Sequence, residues 1–348
     1  MDAVLLLAVV IIGVALIFDF INGFHDAANS VATIVATQVL TPFQAVVWAA
    51  FWNFISAFSF GTGVATTVGK GTVNLEYVTL YVILAGLMGA IVWDLITWWF
   101  GLPTSSSHAL LGGYAGAAMA NVVHLKGLVH IFDAVVAEGW LRIALFIVIS
   151  PVLGMLLAYV LMIAIHWIFR DSTPKTMDLY FRKLQLASAA IFSYSHGTND
   201  AQKTMGIIAG VLYTAHYIPE FRVDTWVILS AHAAIALGTL SGGWRIVRTM
   251  GARLTRLKPR GGFAAETAAA ISILFSTVLH QPVSTTHVIA GSIAGVGSIR
   301  RPKAVRWGLA TNIVWAWVMT IPAAAAVGAI SFELIYLLTG GVLPASNP

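Results

Sequence analysis

The sequence predicts an all-α, polytopic integral membrane protein built of two inverted-topology repeats with broken or re-entrant helices. Three observations predict it. The 348 residues are 59% hydrophobic and only 9% charged, with a mean hydropathy of +0.86, whereas a water-soluble chain carries about 25% charged residues. Two unusual polar motifs each occur twice, about half a chain apart. The basic residues collect in the second half, so the loops of the two halves differ in charge.

Apolar stretches long enough to cross a bilayer, roughly 20 residues each, fall near 3–20, 43–62, 76–100, 141–169, 224–241, 264–280 and 307–326. Segments near 22–40, 103–120, 184–215 and 282–298 are also apolar but carry glycine, proline or polar clusters. They are expected to be the broken or re-entrant pieces, since irregular backbone survives at membrane depth only where it lines a buried or watery cavity. Met1–Phe18 has no basic start and no small-residue cleavage site, so it is expected to be a retained first helix and not a signal peptide. The chain has no cysteine, which excludes disulfides, thiolate metal sites and cysteine nucleophiles.

Charge sets the expected orientation. Arg170, Lys175, Arg182 and Lys183 lie in 170–183, Arg245, Arg248, Arg253, Arg256, Lys258 and Arg260 in 245–260, and Arg300, Arg301, Lys303 and Arg306 in 300–306. The positive-inside rule places these three loops in the cytoplasm. The matching loops of the first half hold only Lys70 and Lys126 and are expected outside, as is the N-terminus. The first repeat is then 1–169, the cytoplasmic connecting loop 170–183 and the second repeat 184–348. The pI near 9.5 is read as this orientation signal, and no nucleic-acid partner is expected.

The motifs carry the chemistry. Asn22-Gly23-Phe24-His25-Asp26-Ala27-Ala28-Asn29 aligns with His196-Gly197-Thr198-Asn199-Asp200-Ala201-Gln202-Lys203 at an offset of 174. Pro103-Thr104-Ser105-Ser106-Ser107-His108 aligns with Pro282-Val283-Ser284-Thr285-Thr286-His287 at an offset of 179, and Gly112 and Gly116 match Gly291 and Gly295. Matched interrupted segments in two inverted halves are the architecture of a secondary transporter. A channel builds selectivity from rings or a single pore loop. An intramembrane hydrolase needs one nucleophile, so duplication speaks against an enzyme.

The hydroxyls Thr104, Ser105, Ser106, Ser107, Ser284, Thr285 and Thr286 stand beside helix starts, whose free N–H groups suit an oxyanion such as phosphate or sulfate. Asp26, Asn29, Asn199, Asp200, Gln202 and Asn22 supply hard oxygens for Na⁺, a divalent ion or a proton. Lys203 is read either as partner of an aspartate or as a direct anion ligand, and Glu266 either as an interfacial residue or as an intramembrane cation or proton site. His108 and His287 either bond a neighbouring helix or belong to the site. Asp19 and Asp94 also lie in apolar surroundings.

At these residues the chain resembles the inorganic phosphate transporter (PiT) family, whose duplicated signature is roughly Gly-Ala-Asn-Asp-x-x-Asn followed by Gly-x-Pro-x-Ser-x-x-His. The resemblance spans nearly the whole chain, with Gly197-Thr198-Asn199-Asp200 and Pro282-Val283-Ser284-Thr285-Thr286-His287 following the signature closely. His25 stands where the family often has Asn, and Gln202-Lys203 where it often has Ala-Asn. Asn53 aligns with a family glutamate whose second-half counterpart, Glu266, is kept. These variants resemble the bacterial low-affinity branch of proton-coupled carriers of metal-phosphate complexes, and some relatives of this fold carry sulfate.

The resemblance implies a symporter in the cell (inner) membrane that imports inorganic phosphate without a cofactor, coupled to H⁺ or to Na⁺. Ser105, Ser106, Ser107, Ser284, Thr285 and Thr286 would hold the anion. Asp26 and Asp200, completed by Asn29, Asn199 and Gln202, would take the proton, or would bind Na⁺ through Asp26, Asn29, Asn199 and Asp200. His25 and Lys203 would supply charge. Its expected partners are phosphate, the coupling cation and the lipid bilayer, with a homodimer left open.

Overall fold

In hydrocarbon the backbone must satisfy its own hydrogen bonds, so apolar runs become helices. The computed structural model describes residues 3–59, 61–300 and 305–340. The chain runs α1 (Ala3–Ala36), α2 (Pro42–Ile55), α3 (Gly63–Lys70), α4 (Leu80–Phe100), α5 (Ser106–Lys126), α6 (Ala137–Ile168), α7 (Pro174–Thr214), α8 (Thr225–Ser241), α9 (Trp244–Arg248), α10 (Pro259–Val278), α11 (Thr285–Arg300) and α12 (Trp307–Leu338). Among the described residues five helices (α1, α4, α6, α10 and α12) are long and apolar enough to cross a membrane. Two bent pairs, α2 with α3 and α8 with α9, raise that to as many as seven spans. The protein is an all-helical, multi-pass membrane protein.

The breaks do not fall where they were expected. The segments 22–40 and 184–215 were read as interrupted, yet α1 runs through Asn22–Asn29 and α7 through His196–Lys203 without a break. Their polar side chains find partners on neighbouring helices, so the backbone has no need to open. The glycines there serve close packing. A Cβ on Gly23 would collide with the main chain of Ile235 in α8, and one on Gly197 with the main chain of Asn53 in α2. The breaks fall instead inside the stretch 43–62, after the short turn Ser56–Phe58, and at Gly242-Gly243. Gly242 has φ +68 there, a conformation that glycine adopts freely.

The expected connecting loop 170–183 is largely helix. Thr173 caps α7 by accepting from the Thr176 N–H at 3.3 Å, and Pro174 takes the first helical position, where its missing N–H costs nothing. Met177 and Phe181 bury one face while Lys175, Arg182 and Lys183 stay exposed, so the basic residues lie on an amphipathic surface. Likewise 245–260 is mostly not loop, holding α9, a π-helical turn over Thr249–Arg253 and the start of α10. Within 300–306, Arg301 and Lys303 lie outside the described residues.

The expected interruptions at 103–120 and 282–298 are short turns opening helices. α4 and α5 form one hairpin through Gly101–Ser105, and α10 and α11 the other through Leu279–Ser284. Each hairpin packs on the closing helix of the opposite half. A Cβ on Gly112 or Gly116 of α5 would strike the main chain of Ile321 or Ala325 in α12, and a Cβ on Gly291 or Gly295 of α11 that of Pro151 or Met155 in α6. Small residues let helices approach closely where lipid supplies no hydrophobic drive. The apolar core is in two parts, one around Phe18, Leu87 and Leu110 and one around Phe192, Ile273 and Ile289. α1 contributes to both, with its polar stretch Asn22–Asn29 between them.

Candidate functional site

Two long helices bring the acids and two hairpins bring the hydroxyls. Asp26 on α1 lies at 3.5 Å from the Ser106 hydroxyl at the start of α5 and at 3.4 Å from the Thr286 hydroxyl at the start of α11. Its neighbour His25 places Nδ1 at 2.8 Å from the same carboxylate. Asp200 on α7 accepts from the Thr285 hydroxyl at 3.2 Å and from Lys203. The Lys203 ammonium also donates to the Ser107 hydroxyl and, at 2.9 Å, to the Val283 carbonyl. Asn29 donates from its amide to Thr286 at 2.9 Å and to Thr285 at 3.3 Å. Ligand atoms of Asp26, His196 and Asp200 lie within 4.8 Å of one another. All these side chains are buried, so the pocket is closed.

Several expected site residues serve nearby structure instead. The Ser105 and Ser284 hydroxyls accept from the His108 and His287 N–H groups, each at 3.2 Å, and so cap α5 and α11. Gln202 accepts from the Val64 and Ala65 N–H groups at 3.0 and 3.3 Å, which caps α3. Asn199 braces the second hairpin, donating to Thr277 at 2.9 Å and to the Gln281 carbonyl at 3.2 Å, and accepting from the Val283 N–H. Thr104 donates to Thr97 at 2.9 Å and stands behind His25. Asn22 bonds Asp19 at 3.4 Å. Glu266 forms a separate buried cluster, accepting from Thr33 at 2.6 Å, from Gln185 at 2.9 Å and from Ser188.

The structure adds residues that sequence reasoning did not assign. His196 donates from Nδ1 to the Asn53 side-chain oxygen at 3.2 Å, while the Asn53 amide donates to Thr239 at 2.9 Å. That chain fixes the tautomer in the neutral ring and leaves Nε2 with its lone pair 3.2 Å from Asp200. Two acceptors face each other there, a place suited to a proton or a cation. The signal was present, since His196 aligns with Asn22 in the repeat. Asp94, with both carboxylate oxygens lacking a hydrogen-bond partner, lies beside His25, Asp26 and Ser106. Behind the pocket His108 and His287 meet edge to face at 4.8 Å, and His287 stacks on Trp317 at 3.8 Å.

The turns of both hairpins are pinned by the short arms of the bent spans. Thr67 of α3 donates to the His280 carbonyl at 2.8 Å, and Thr249, just after α9, to the Gly101 carbonyl at 2.9 Å. Arg245 adds a second hold on the first hairpin, bonding the Trp99 carbonyl at 2.6 Å and lying 4.9 and 4.3 Å from the Trp98 and Trp99 rings. The second hairpin, whose turn Asn199 and Lys203 also hold, borders a cavity of about 370 Å³ lined by Lys70, Arg142, Glu138, Thr67 and Gln281.

The site therefore brings together two carboxylates, one ammonium and four hydroxyls, the hydroxyls standing at the starts of two helices. Groups of these kinds can hold a tetrahedral oxyanion beside a small cation. The pattern of the Phosphate transporter family matches residues 22–328. A protein of Rhizobium meliloti (strain 1021) described as a probable low-affinity inorganic phosphate transporter is 53% identical over 95% of this chain and 98% of its own. A protein of Bacillus subtilis (strain 168) with the same description is 43% identical over 97% of this chain and all of its own. A solved structure titled "The sodium-dependent phosphate transporter" superposes with a TM-score of 0.83 at 25% identity, covering 95% of this chain and 99% of that one.

Proposed function

The chain belongs to the phosphate transporter family, and from that premise we propose that it is a secondary active symporter importing inorganic phosphate, free or as a metal-phosphate complex, coupled to protons. It is a transport protein and not an enzyme. The observation that carries the proposal is the convergence of all four motifs, two from each half, on one closed pocket of carboxylates and helix-start hydroxyls. In this reading phosphate is held by Ser106, Ser107, Thr285 and Thr286 together with the N–H groups opening α5 and α11. Asp26 takes the coupling proton beside His25. Alternating access follows if the hairpins release the pocket to one side at a time. The basic segments 170–183, 245–260 and 300–306 would face the cytoplasm, with the N-terminus outside the inner membrane.

Two features support protons as the coupling ion. Each acid has a histidine beside it, His25 at Asp26 and His196 at Asp200, so a ring nitrogen and a carboxylate oxygen stand close enough to share a proton. Lys203 already sits against Asp200. Sodium coupling is the second reading, favoured by the structural relative's title and by the Asn29 side-chain oxygen, which has no partner beside Asp26. Uptake of labelled phosphate into proteoliposomes, with proton and sodium gradients imposed separately, tests both. The proposal expects concentrative uptake under a proton gradient without sodium, falling as external pH rises. Uptake that requires sodium at fixed pH would establish the second reading.

A further inference from the structure

We propose that the Lys203 ammonium is a tethered cation, permanently filling in the second half the place that a coupling cation from solution takes in the first. The inference rests on reading the pocket as a coupled anion-cation site. Asp26 and Asn29 align with Asp200 and Lys203 at the same offset of 174, so each half presents an aspartate and, three residues on, either an amide or an ammonium. Both are one helical turn apart on one face.

What surrounds the ammonium is a cation's donor set. Its partners are the Asp200 carboxylate, the Ser107 hydroxyl and the Val283 carbonyl, three hard oxygens of different kinds, as alkali and alkaline-earth ions select. They come from α7, from the first hairpin and from the turn of the second, so the ammonium ties together the parts that must close around a substrate. Lys203 is 2% exposed, and among the described residues it is the one buried lysine or arginine. The first half has kindred oxygens without such a charge. Asp26 meets Ser106 and Thr286, and the Asn29 side-chain oxygen has no partner.

The consequence is a coupling ratio. Asp200 is neutralised in every state by a charge that never leaves, so only Asp26 must acquire a proton or cation before the hairpins can close over the anion. Exchanging Lys203 for the residue of the first half removes the tether and asks for one more ion from solution. Exchanging Asn29 for lysine supplies a second tether and removes the remaining requirement.

The test uses the full-length protein, purified and reconstituted, as Lys203→Asn, Asn29→Lys and Lys203→Met. The order of phosphate uptake in the coupling cation is expected to rise from a Hill coefficient of about 1 to about 2 in Lys203→Asn and to vanish in Asn29→Lys. Lys203→Asn is also expected to show a larger melting shift with Na⁺ or Li⁺ than the wild type, while Lys203→Met, which offers no oxygen, gains neither. A folded Lys203→Asn with wild-type cation order and melting overturns the proposal, as does a variant rescued by more phosphate and not by more cation, which would make Lys203 an anion ligand. If Lys203→Asn fails to fold, an unchanged cation order in Asn29→Lys overturns it and a vanished one supports it. The melting shift needs no transport. If the wild type moves no phosphate, the function proposed above fails, while gain or absence of that larger shift still decides the role of Lys203.

Discussion

Asp26 and Asp200 hold matching positions and keep different company, so their removal should fail differently. Both Asp26→Asn and Asp200→Asn are expected to abolish concentrative uptake, because a carboxylate at membrane depth is costly and persists where function uses it. Asp200→Asn should also lower stability by about 3–5 kcal/mol, since it leaves the buried Lys203 charge without its counter-ion. Asp26→Asn should unfold near the wild-type temperature, and thermal unfolding of the two purified variants beside uptake checks the contrast. The hydroxyls divide in the same way. Ser105→Ala and Ser284→Ala should each cost about 1 kcal/mol of stability as lost caps with phosphate affinity kept. Ser106→Ala with Thr285→Ala should weaken phosphate binding by about 1–3 kcal/mol for each charge-assisted bond lost, read by anion-competition titration. Residue types placed the acids and hydroxyls correctly near one another. They could not show that Gln202 caps α3 or that Asn199 braces a hairpin, because those partners lie 138 and 78 residues away.

At the level of elements, glycine carried two meanings that the sequence does not separate. Gly23 and Gly197 read as places where a helix breaks, and in fact they let α8 and α2 press against unbroken helices. Gly242 and Gly243 lay at the end of an apparently plain span and mark a true break. The hairpins after Pro103 and Pro282 were legible because proline and a hydroxyl announce a helix start in local sequence. Gly116 offers a test of the packing role. A Gly116→Val side chain would meet the Ala325 main chain and should force α5 from α12, costing about 1–3 kcal/mol as overpacking does. The expected result is a lowered melting temperature and reduced phosphate uptake. Gly308 of α12, with open space at its Cβ, should accept valine with neither effect.

Across the molecule the two halves complete each other. α5 lies on α12 and α11 on α6, so each hairpin is shaped by the closing helix of the other half. Cutting the chain between Phe169 and Thr173, the turn before α7, and expressing the pieces separately should give no phosphate uptake from either. Co-expression should restore it, as the pieces can meet within the bilayer. Uptake by one piece alone would show that the exchange of partners is dispensable. The fold class was legible because composition is a property of the whole chain. The exchanged packing was not, since it depends on which distant backbones approach.

The two hairpin turns are held by different means, the first from its outer edge by Arg245 and the second from within by Asn199 and Lys203. Each turn is pinned by one threonine, but the first is also gripped by Arg245 over Trp98 and Trp99, whereas the second is braced from within by Asn199 and Lys203. A cation-π contact at an exposed site is worth about 0.5–1 kcal/mol, so losing Arg245 should loosen the first turn and leave the second as it is. The absence of cysteine makes that difference measurable without background labelling. A thiol introduced by Leu102→Cys should react several-fold faster once Arg245→Ala is added, while one introduced by Gln281→Cys should keep its rate.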